Sequence, residues 1–312
     1  MLQEPPAIPP VTLGRSGVRS SRLALGSANW IGKIDDDAYV DLLREAVRLG
    51  VRHVDSAPSY QQGWLADRLR EAEVPDDLLI VTKVGRYRRD DGGIECDFDP
   101  DRAVRSVHSS MVELGLSHLP VLKLHDARPE HWVEIMSRRG TLEALRTLQS
   151  EGLVGAIGIA VGNARCAEMA AASGEFDIIG SYHHYTLLNR QAASQIHPHT
   201  RQHNLGVINI SPFGGNILGT GVVDGARYSY RDASAEVVAS VTKIEQRVRS
   251  YGLDLPTAAL AFSLACPEID VTVVGPTTID ELHADVAALQ IARTFDAFDE
   301  IVSPVEHPND WH

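Results

Sequence analysis

Cysteine is scarce and scattered in this chain. Its 312 residues hold three, Cys96, Cys166 and Cys266, with no C-x-x-C pair among them. That pattern argues against a disulfide framework or a zinc module and fits a reduced compartment. Positive charge is also short. Lys plus Arg is 29 against 42 for Asp plus Glu, a formal net charge of −13. The concentrated positive surface that a nucleic acid or an anionic membrane requires is therefore missing, although a local basic pocket for one small anion remains compatible. No apolar run is long enough to span a bilayer. The stretch Met1 to Pro10 lacks the basic start and apolar core of a signal peptide. It is proline-rich and predicts a flexible leader over residues 1–10 of a cytoplasmic protein.

What is present is alternation. Short β-branched runs give way to longer segments with helical spacing, again and again, as βα units of a parallel sheet require. A hairpin is expected from Val11 to Leu13 and Val18 to Ser20 around a Gly-containing turn. The strands that follow are predicted at Leu23 to Gly26, Val51 to Asp55, Leu78 to Lys83, Val121 to His125, Ala156 to Ala160, Asp177 to Ser181, Gly206 to Ser211 and Val271 to Gly275. Helices are predicted over 36–49, 63–72, 100–114, 141–150, 163–172, 190–203, 233–250, 256–265 and 278–289, and a long loop over 212–232. Eight strands in strict alternation, with no low-complexity linker, predict one α/β domain over 11–312: a (β/α)8 TIM barrel with an N-terminal β-hairpin and a C-terminal tail. A Rossmann fold is disfavoured, because Gly26-Ser27-Ala28-Asn29 after the first strand carries one glycine and no G-x-G-x-x-G turn.

A barrel of this kind keeps its chemistry at the C-terminal ends of its strands. Asp55, Lys83 and His125 close the second, third and fourth strands. Each follows a run expected to be buried and apolar: Val51 to Val54, Leu78 to Val81, and Val121 to Leu124. Tyr60 lies close enough after Asp55 to fold over the same mouth. Singly, these residues read as a helix cap, a solvated lysine and a core histidine. At neighbouring strand ends they read as a site. A carbonyl accepts a hydride only if its oxygen also receives a proton or a strong hydrogen bond. A phenol can supply one, but its free pKa near ~10 is too high for efficient transfer at neutral pH. A nearby ammonium favours the phenolate. Lys83 is the expected ammonium, Asp55 its partner, and His125 a hydrogen-bonding group for the substrate oxygen.

These residues resemble the Asp, Tyr, Lys, His tetrad of the aldo-keto reductase superfamily, in VDSAPSY, VTKVGRY and LKLHD. The resemblance runs through TLGRSGVRSSRLALGS, SYHHYTLLN, GVINISPFGGNILGTG and LAFSLACPEIDVTVVGPTTIDEL, and so covers nearly the whole chain. VTKVGRY, SYHHY and the tail SPVEHPNDW carry a closer likeness to its L-galactose dehydrogenase and aldose 1-dehydrogenase branch. The resemblance implies NAD or NADP as cofactor. Ser211, Phe213 and Gly214 would lie near the pyrophosphate, and Gly275, Thr277, Thr278, Glu281 and Asp285 around the adenosine half. Several positions depart from the superfamily pattern. Gln61, Gln62 and Gly63 follow the tyrosine, and Ala160-Val161 stands where many members carry Ser-Asn. Tyr182 stands where many members carry Gln, and Ile210 where some stack an aromatic ring on the nicotinamide. Relatives that prefer the phosphorylated cofactor often place Arg where Glu281 stands. Residues 275–286 contain no Lys or Arg, which favours NAD.

Trp30, Trp64, Tyr87 and Trp311 are candidate pocket walls. Aromatic faces beside polar groups suit a small carbonyl or polyol substrate of sugar type. Packing against the barrel exterior is the competing role for Trp64 and Trp311. The 212–232 loop is a candidate lid over the cofactor. His183-His184 and His197-Pro198-His199 invite a metal, yet strand one ends in Ser27-Ala28-Asn29 without the ligands of a metal-dependent barrel hydrolase, so no metal is expected. Other activities stay open: an NADPH-dependent reductase of non-sugar aldehydes or ketones, a Schiff-base aldolase using Lys83, and a non-catalytic cofactor-binding regulatory subunit. A protonated, Asp-paired lysine is a poor nucleophile, which counts against the aldolase.

Overall fold

The computed structural model describes residues 8–305 except 29, 31, 90 and 230. Eight parallel strands close into a barrel: β1 (Leu23–Gly26), β2 (His53–Asp55), β3 (Leu79–Val84), β4 (Leu119–His125), β5 (Val154–Val161), β6 (Ile178–Tyr182), β7 (Gly206–Ile210) and β8 (Val271–Val274). The barrel closes where β8 pairs with β1, through Thr272↔Leu23 to Val274↔Leu25. The main helices wrap it: α1 (Asp36–Arg48), α2 (Gln62–Glu71), α3 (Pro100–Leu114), α4 (Thr141–Ser150), α5 (Ala164–Ser173), α6 (His197–His203), α7 (Ala235–Ser250), α8 (Leu255–Ala265) and α9 (Ile279–Thr294). This is the (β/α)8 barrel expected from the sequence pattern.

Local chemistry sets the helix ends. Asp35, Asp99, Asn163, Ser234, Asp254 and Thr278 each accept a backbone N–H of the first turn of the helix they precede. Pro100 and Pro256 sit in first turns, where a missing N–H costs nothing. The helix expected over 190–203 is broken in two, Gln191–Gln195 and α6, with Ile196 between them. Pro198 causes the break, since its ring has no N–H for the carbonyl of Ser194 and clashes with it. The expected loop 212–232 carries short helical turns at Gly214–Asn216 and Ile217–Thr220 and a two-stranded ribbon, Arg227–Tyr228 with Arg231–Asp232.

Period-two alternation sorts the strand residues. Val81, Val121, Ala156, Ile178, Ile208 and Val271 fill the barrel interior. Leu122, Leu124, Ile157, Ile159 and Ile179 face the surrounding helices. The hairpin Pro10–Thr12 with Arg19–Ser21 closes the N-terminal end of the barrel, and Leu13 at its tip is wholly buried in the interior cluster. Gly14 beside it has φ +45, and a Cβ there would stand 2.3 Å from the backbone nitrogen of Gly206. The hairpin can seat this deeply only with glycine at that position. Residues 8 to 10 depart from the flexible leader expected over 1–10: Ile8 is buried and donates to the Leu49 carbonyl at 3.2 Å, and Pro10 is already in the hairpin. Residues 1–7 lie outside the described part.

Candidate active site

Strand register brings the ionisable residues to one place. Asp55 pairs with Val81, Lys83 lies two residues further along β3, and Lys83 pairs directly with Lys123 of β4. All of these point inward by parity, so the interior changes from apolar to charged within one step of the alternation. Asp55, Lys83 and His125 are buried. The Lys83 ammonium donates to Asp55 Oδ1 and, at 2.6 Å, to the Ser56 carbonyl. The Tyr60 hydroxyl is 3.0 Å from His125 Nε2, and the Lys83 Nζ stands 4.7 Å from the centre of the Tyr60 ring. The three strand-end residues and Tyr60 therefore form one cluster.

Lys123 is a member that sequence reasoning missed. It is 0% exposed, and its ammonium donates to Asp55 Oδ2. One carboxylate thus holds two lysines, one on each oxygen. The expected apolar run Val121 to Leu124 is corrected here. A signal was available: residue 123 shares parity with Val121 and His125 and so had to face inward. Gly158 of β5 makes room for it, since a Cβ there would lie 3.0 Å from Lys123 Cγ and 2.8 Å from the Ile178 carbonyl oxygen.

The electrostatics follow from burial and this sharing. Burial alone would raise the Asp55 carboxyl, but the Lys123 and Lys83 ammoniums outweigh it and hold the group well below the usual carboxylate range. Burial lowers Lys83 to about 8, with Asp55 opposing the shift and Lys123 reinforcing it. His125 is pushed well below its ordinary value, by burial first and by Lys83 second, and is therefore a neutral imidazole. His53, one inward step below Asp55, is neutral for the same reason, at about 3, and its Nδ1 meets Ser20 Oγ at 2.9 Å.

Tyr60 ends a short 3-10 turn, Pro58–Tyr60, and Gln61 after it takes a left-handed conformation with φ 54. Gln62, one of the departures from the superfamily pattern, is wholly buried. It donates to Ser110 Oγ of α3 and accepts from Thr82 Oγ1 of β3, both at 2.8 Å. This clamp ties the tyrosine loop to the strand that carries Lys83.

Opposite the cluster, β7 and β8 are neighbours, paired through Ile210↔Val273. Ser211 (φ 63), Phe213 and Gly214 (φ 61) form the turn after β7. Gly275, Thr277 and Thr278 follow β8 and lead into α9, which carries Glu281 and Asp285. Glu281 Oε2 accepts from the Thr277 N–H at 2.7 Å and its hydroxyl at 3.0 Å, while Thr278 Oγ1 accepts the Glu281 N–H at 3.1 Å. Asp285 is 9% exposed, and burial, with Glu281 beside it, raises its carboxyl to about 8. Near the post-β7 turn, His183 Nδ1 and Nε2, Tyr228 Oη and Ser229 Oγ are buried without hydrogen-bond partners among the described residues. A Cβ at Gly214 would stand 3.1 Å from the Tyr228 ring, and one at Gly215 2.7 Å from the Ser229 nitrogen and 3.4 Å from His183 Cε1. Such a gathering of unpaired buried polar atoms fits a polar, phosphate-bearing group bound at that turn.

The candidate pocket walls are less well placed. Trp30 is 0% exposed, donates to the Pro276 carbonyl at 3.0 Å and packs 4.5 Å from the Tyr39 ring. It is a packing residue here, not a pocket wall. Tyr87 is buried with the Arg102 guanidinium 4.2 Å over its ring, in the hairpin Arg86–Arg88 with Ile94–Cys96. Its ring face is therefore taken up. Trp64 stacks on Tyr39 at 4.9 Å and donates to Asp36, which is the exterior packing role. Trp311 lies outside the described residues. No helix among the described residues is long and apolar enough to cross a membrane.

Comparison with known proteins identifies the family. The model of the Aldo/keto reductase family matches residues 22–305. The chain is 27% identical over 305 residues to an L-galactose dehydrogenase from Arabidopsis thaliana, covering 94% of this chain and 92% of that protein. It is 29% identical to a D-threo-aldose 1-dehydrogenase from Pseudomonas sp, covering 88% and 92%. It is 26% identical to an NADH-specific methylglyoxal reductase from Escherichia coli, covering 90% and 91%. A solved aldo-keto reductase from Bacillus halodurans superposes with a TM-score of 0.77 at 20% identity, covering 96% of this chain and 98% of that one, a likeness of fold.

Proposed function

The chain belongs to the aldo/keto reductase family and is an NAD(P)-dependent oxidoreductase interconverting carbonyls and alcohols; on that premise we propose that it oxidises a small aldose, lactol to lactone, with NAD, using Tyr60 as general base. The observation that carries the proposal is the Tyr60 hydroxyl 3.0 Å from neutral His125 with the Lys83 ammonium 4.7 Å from its ring. The nicotinamide cofactor, when bound, takes the hydride. Ser211, Phe213 and Gly214 would hold its pyrophosphate, and Gly275, Thr277, Thr278, Glu281 and Asp285 its adenosine half. Glu281 and the absence of Lys or Arg from 275–286 support NAD, since a carboxylate repels a 2′-phosphate and accepts from a ribose hydroxyl.

The chain's own residues handle the proton. Tyr60 Oη removes it from the substrate hydroxyl. The cationic Lys83 favours the phenolate that does so. Asp55 fixes Lys83 in place, and His125, locked as a neutral ring, orients the oxygen through its hydrogen bond. Lys123 adds a second positive charge to the cluster. With Asp55 at −1 and two ammoniums at +1 each, the buried group sums to +1, which favours the base form of Tyr60, the form that oxidation needs at the start of a turnover. The two relatives named as sugar dehydrogenases support the substrate class.

The test is nicotinamide absorbance with a panel of aldoses, polyols and aldehydes, with NAD and NADP in both directions, for wild type and Tyr60→Phe. Oxidation of an aldose with NAD, lowered about 10³-fold or more in Tyr60→Phe, is expected. Turnover confined to NADPH-driven reduction of non-sugar carbonyls refutes the substrate and cofactor assignment. No turnover at all, with cofactor still bound, points to a regulatory subunit. Full activity in Tyr60→Phe refutes the assigned base, and borohydride trapping of substrate on Lys83 would replace it with aldolase chemistry.

A further inference from the structure

A second cluster lies outside the barrel mouth, at residues that serve no part of the reaction. His197 opens α6. Cys266 closes α8, and Glu268 follows two residues later in the turn that leads into β8. Though 69 and 71 positions separate His197 from the other two in the chain, one ring nitrogen of His197, Cys266 Sγ and a Glu268 carboxylate oxygen all lie within 4.8 Å of one another. Among the described residues this is the one group of three such ligand atoms drawn so close.

We propose that His197, Cys266 and Glu268 bind one thiophilic divalent cation, Zn²⁺ in kind, on the outer wall of the barrel. An ion with bonds of about 2.0–2.3 Å sets tetrahedral ligands roughly 3.5 Å apart. The cluster reaches that spacing by side-chain movement on the order of 1 Å.

Each member is prepared for such an ion. His197 is 2% exposed, and its Nε2 has no hydrogen-bond partner among the described residues. A buried nitrogen left unpaired is costly in a folded protein and calls for an occupant. Burial also lowers His197 to about 4, so the ring is already in the neutral form a metal requires. Its orientation is held by Tyr185, whose ring lies 5.4 Å away and is itself stacked on Phe262 at 4.6 Å. The Glu268 carboxylate is steered by Arg201, which takes Oε1 at 2.5 Å and leaves Oε2 facing the sulfur at 3.4 Å. Cys266 is a buried free thiol, raised by burial to about 11, so that it stays protonated unless a cation arrives.

The donor set selects the ion. One imidazole, one thiolate and one carboxylate is a three-ligand set with a fourth position for water, reached from the Glu268 side, whose side chain is 24% exposed. The sulfur disfavours Mg²⁺ and Ca²⁺. Binding breaks the Cys266 S–H bond, forms a metal–sulfur bond and releases one proton to solvent, with no change of oxidation state. Of the other histidine pair noted in the sequence, His184 is spoken for, because it meets Ser181 Oγ at 3.1 Å and the Gly162 carbonyl at 3.0 Å, while His183 faces the post-β7 turn described above. Cys266 and Glu268 precede β8, whereas the tetrad sits where β2, β3 and β4 end. A cation at this cluster therefore staples α6 to the α8–β8 turn and adds stability, not chemistry.

The full-length protein is titrated with Cd²⁺, following the ultraviolet thiolate-to-metal band, and with Zn²⁺, following thermal unfolding. One equivalent should saturate the band, release about one proton and raise the midpoint of unfolding. Cys266→Ser should abolish the band, and Cys96→Ser, which removes the exposed thiol, should leave it intact. Glu268→Gln, a mild change at a partly exposed side chain, should weaken Cd²⁺ binding at least tenfold while the far-ultraviolet spectrum and aldose turnover match wild type. A wild type without the band, a band that survives in Cys266→Ser, or equal affinity in Glu268→Gln would overturn the assignment.

Discussion

Replacing Lys123 by methionine isolates the part that the second lysine plays. Lys83 and Lys123 occupy the two oxygens of one carboxylate, which puts their nitrogens on the order of 5 Å apart. At an effective dielectric of about 20, two like charges at that distance repel by about 3 kcal/mol, or roughly a hundredfold in the proton affinity of Lys83. Wild-type Lys83, lowered to about 8 mainly by burial and further by Lys123, sheds its proton near that pH. The rate of oxidation should accordingly decline above about pH 8, as the cation beside Tyr60 disappears. In Lys123→Met the burial remains and the repulsion is gone, so the decline should move at least one pH unit upward. With one cation fewer, the phenolate is also harder to form, and the rate near pH 6 should fall about tenfold. Lys123→Arg keeps the charge and should follow wild type wherever the bulkier head is tolerated. Folding is not at risk from lost charge, because Asp55 retains Lys83 and no carboxylate is stranded. The Asp55 oxygen that Lys123 occupied loses its donor, at a cost of about 1–3 kcal/mol. The assay is initial rate of nicotinamide reduction from pH 5.5 to 10, with circular dichroism at each pH. Superimposable profiles for folded wild type and Lys123→Met would refute the coupling.

Three other outcomes follow. Asp55→Asn strands two buried ammoniums and should cost about 3–5 kcal/mol, seen as a fall in the urea midpoint with little catalysis left. Asp285, raised to about 8 by burial and Glu281, keeps its proton in the native state across a window from about 4 to 8 where an unfolded carboxyl has lost it. Its contribution to stability is therefore full near pH 4 and declines as pH rises through that window. Asp285→Asn should flatten the decline and unfold at a higher temperature than wild type at pH 8.5; an unchanged pH slope would count against it. Glu281→Arg removes the carboxylate and installs a phosphate partner, so the ratio of kcat/KM for NADP to that for NAD should rise at least tenfold, and a constant ratio would remove Glu281 from the cofactor site.

The barrel was legible because its signals are redundant. Eight buried strands, capped helices such as the one Asp99 and Pro100 open, and strand-end Asp55, Lys83 and His125 all agree. Strand limits were less so: β4 begins two residues earlier, at Leu119, because pairing with Val154 continues past the apolar run. Lys123 was hidden by reading Val121 to Leu124 as a uniformly apolar block. A lysine in such a run looks like an interruption until parity shows that it faces the same interior as His125. Trp30 was misread for the opposite reason. An aromatic in a loop resembles a surface wall, but only the packing of Tyr39 and the Pro276 carbonyl reveals that the Trp30 ring is buried. His197, Cys266 and Glu268 share no motif at all, and only the tertiary fold joins them.

The hairpin tip at Leu13 has a bearing on the proton's route. It acts as a stopper in the floor, leaving the charged cluster on β2, β3 and β4 with an opening at one end alone. Asp55 and its two lysines can then meet solvent only past the strand C-terminal ends, on the side where the half-buried Tyr60 stands.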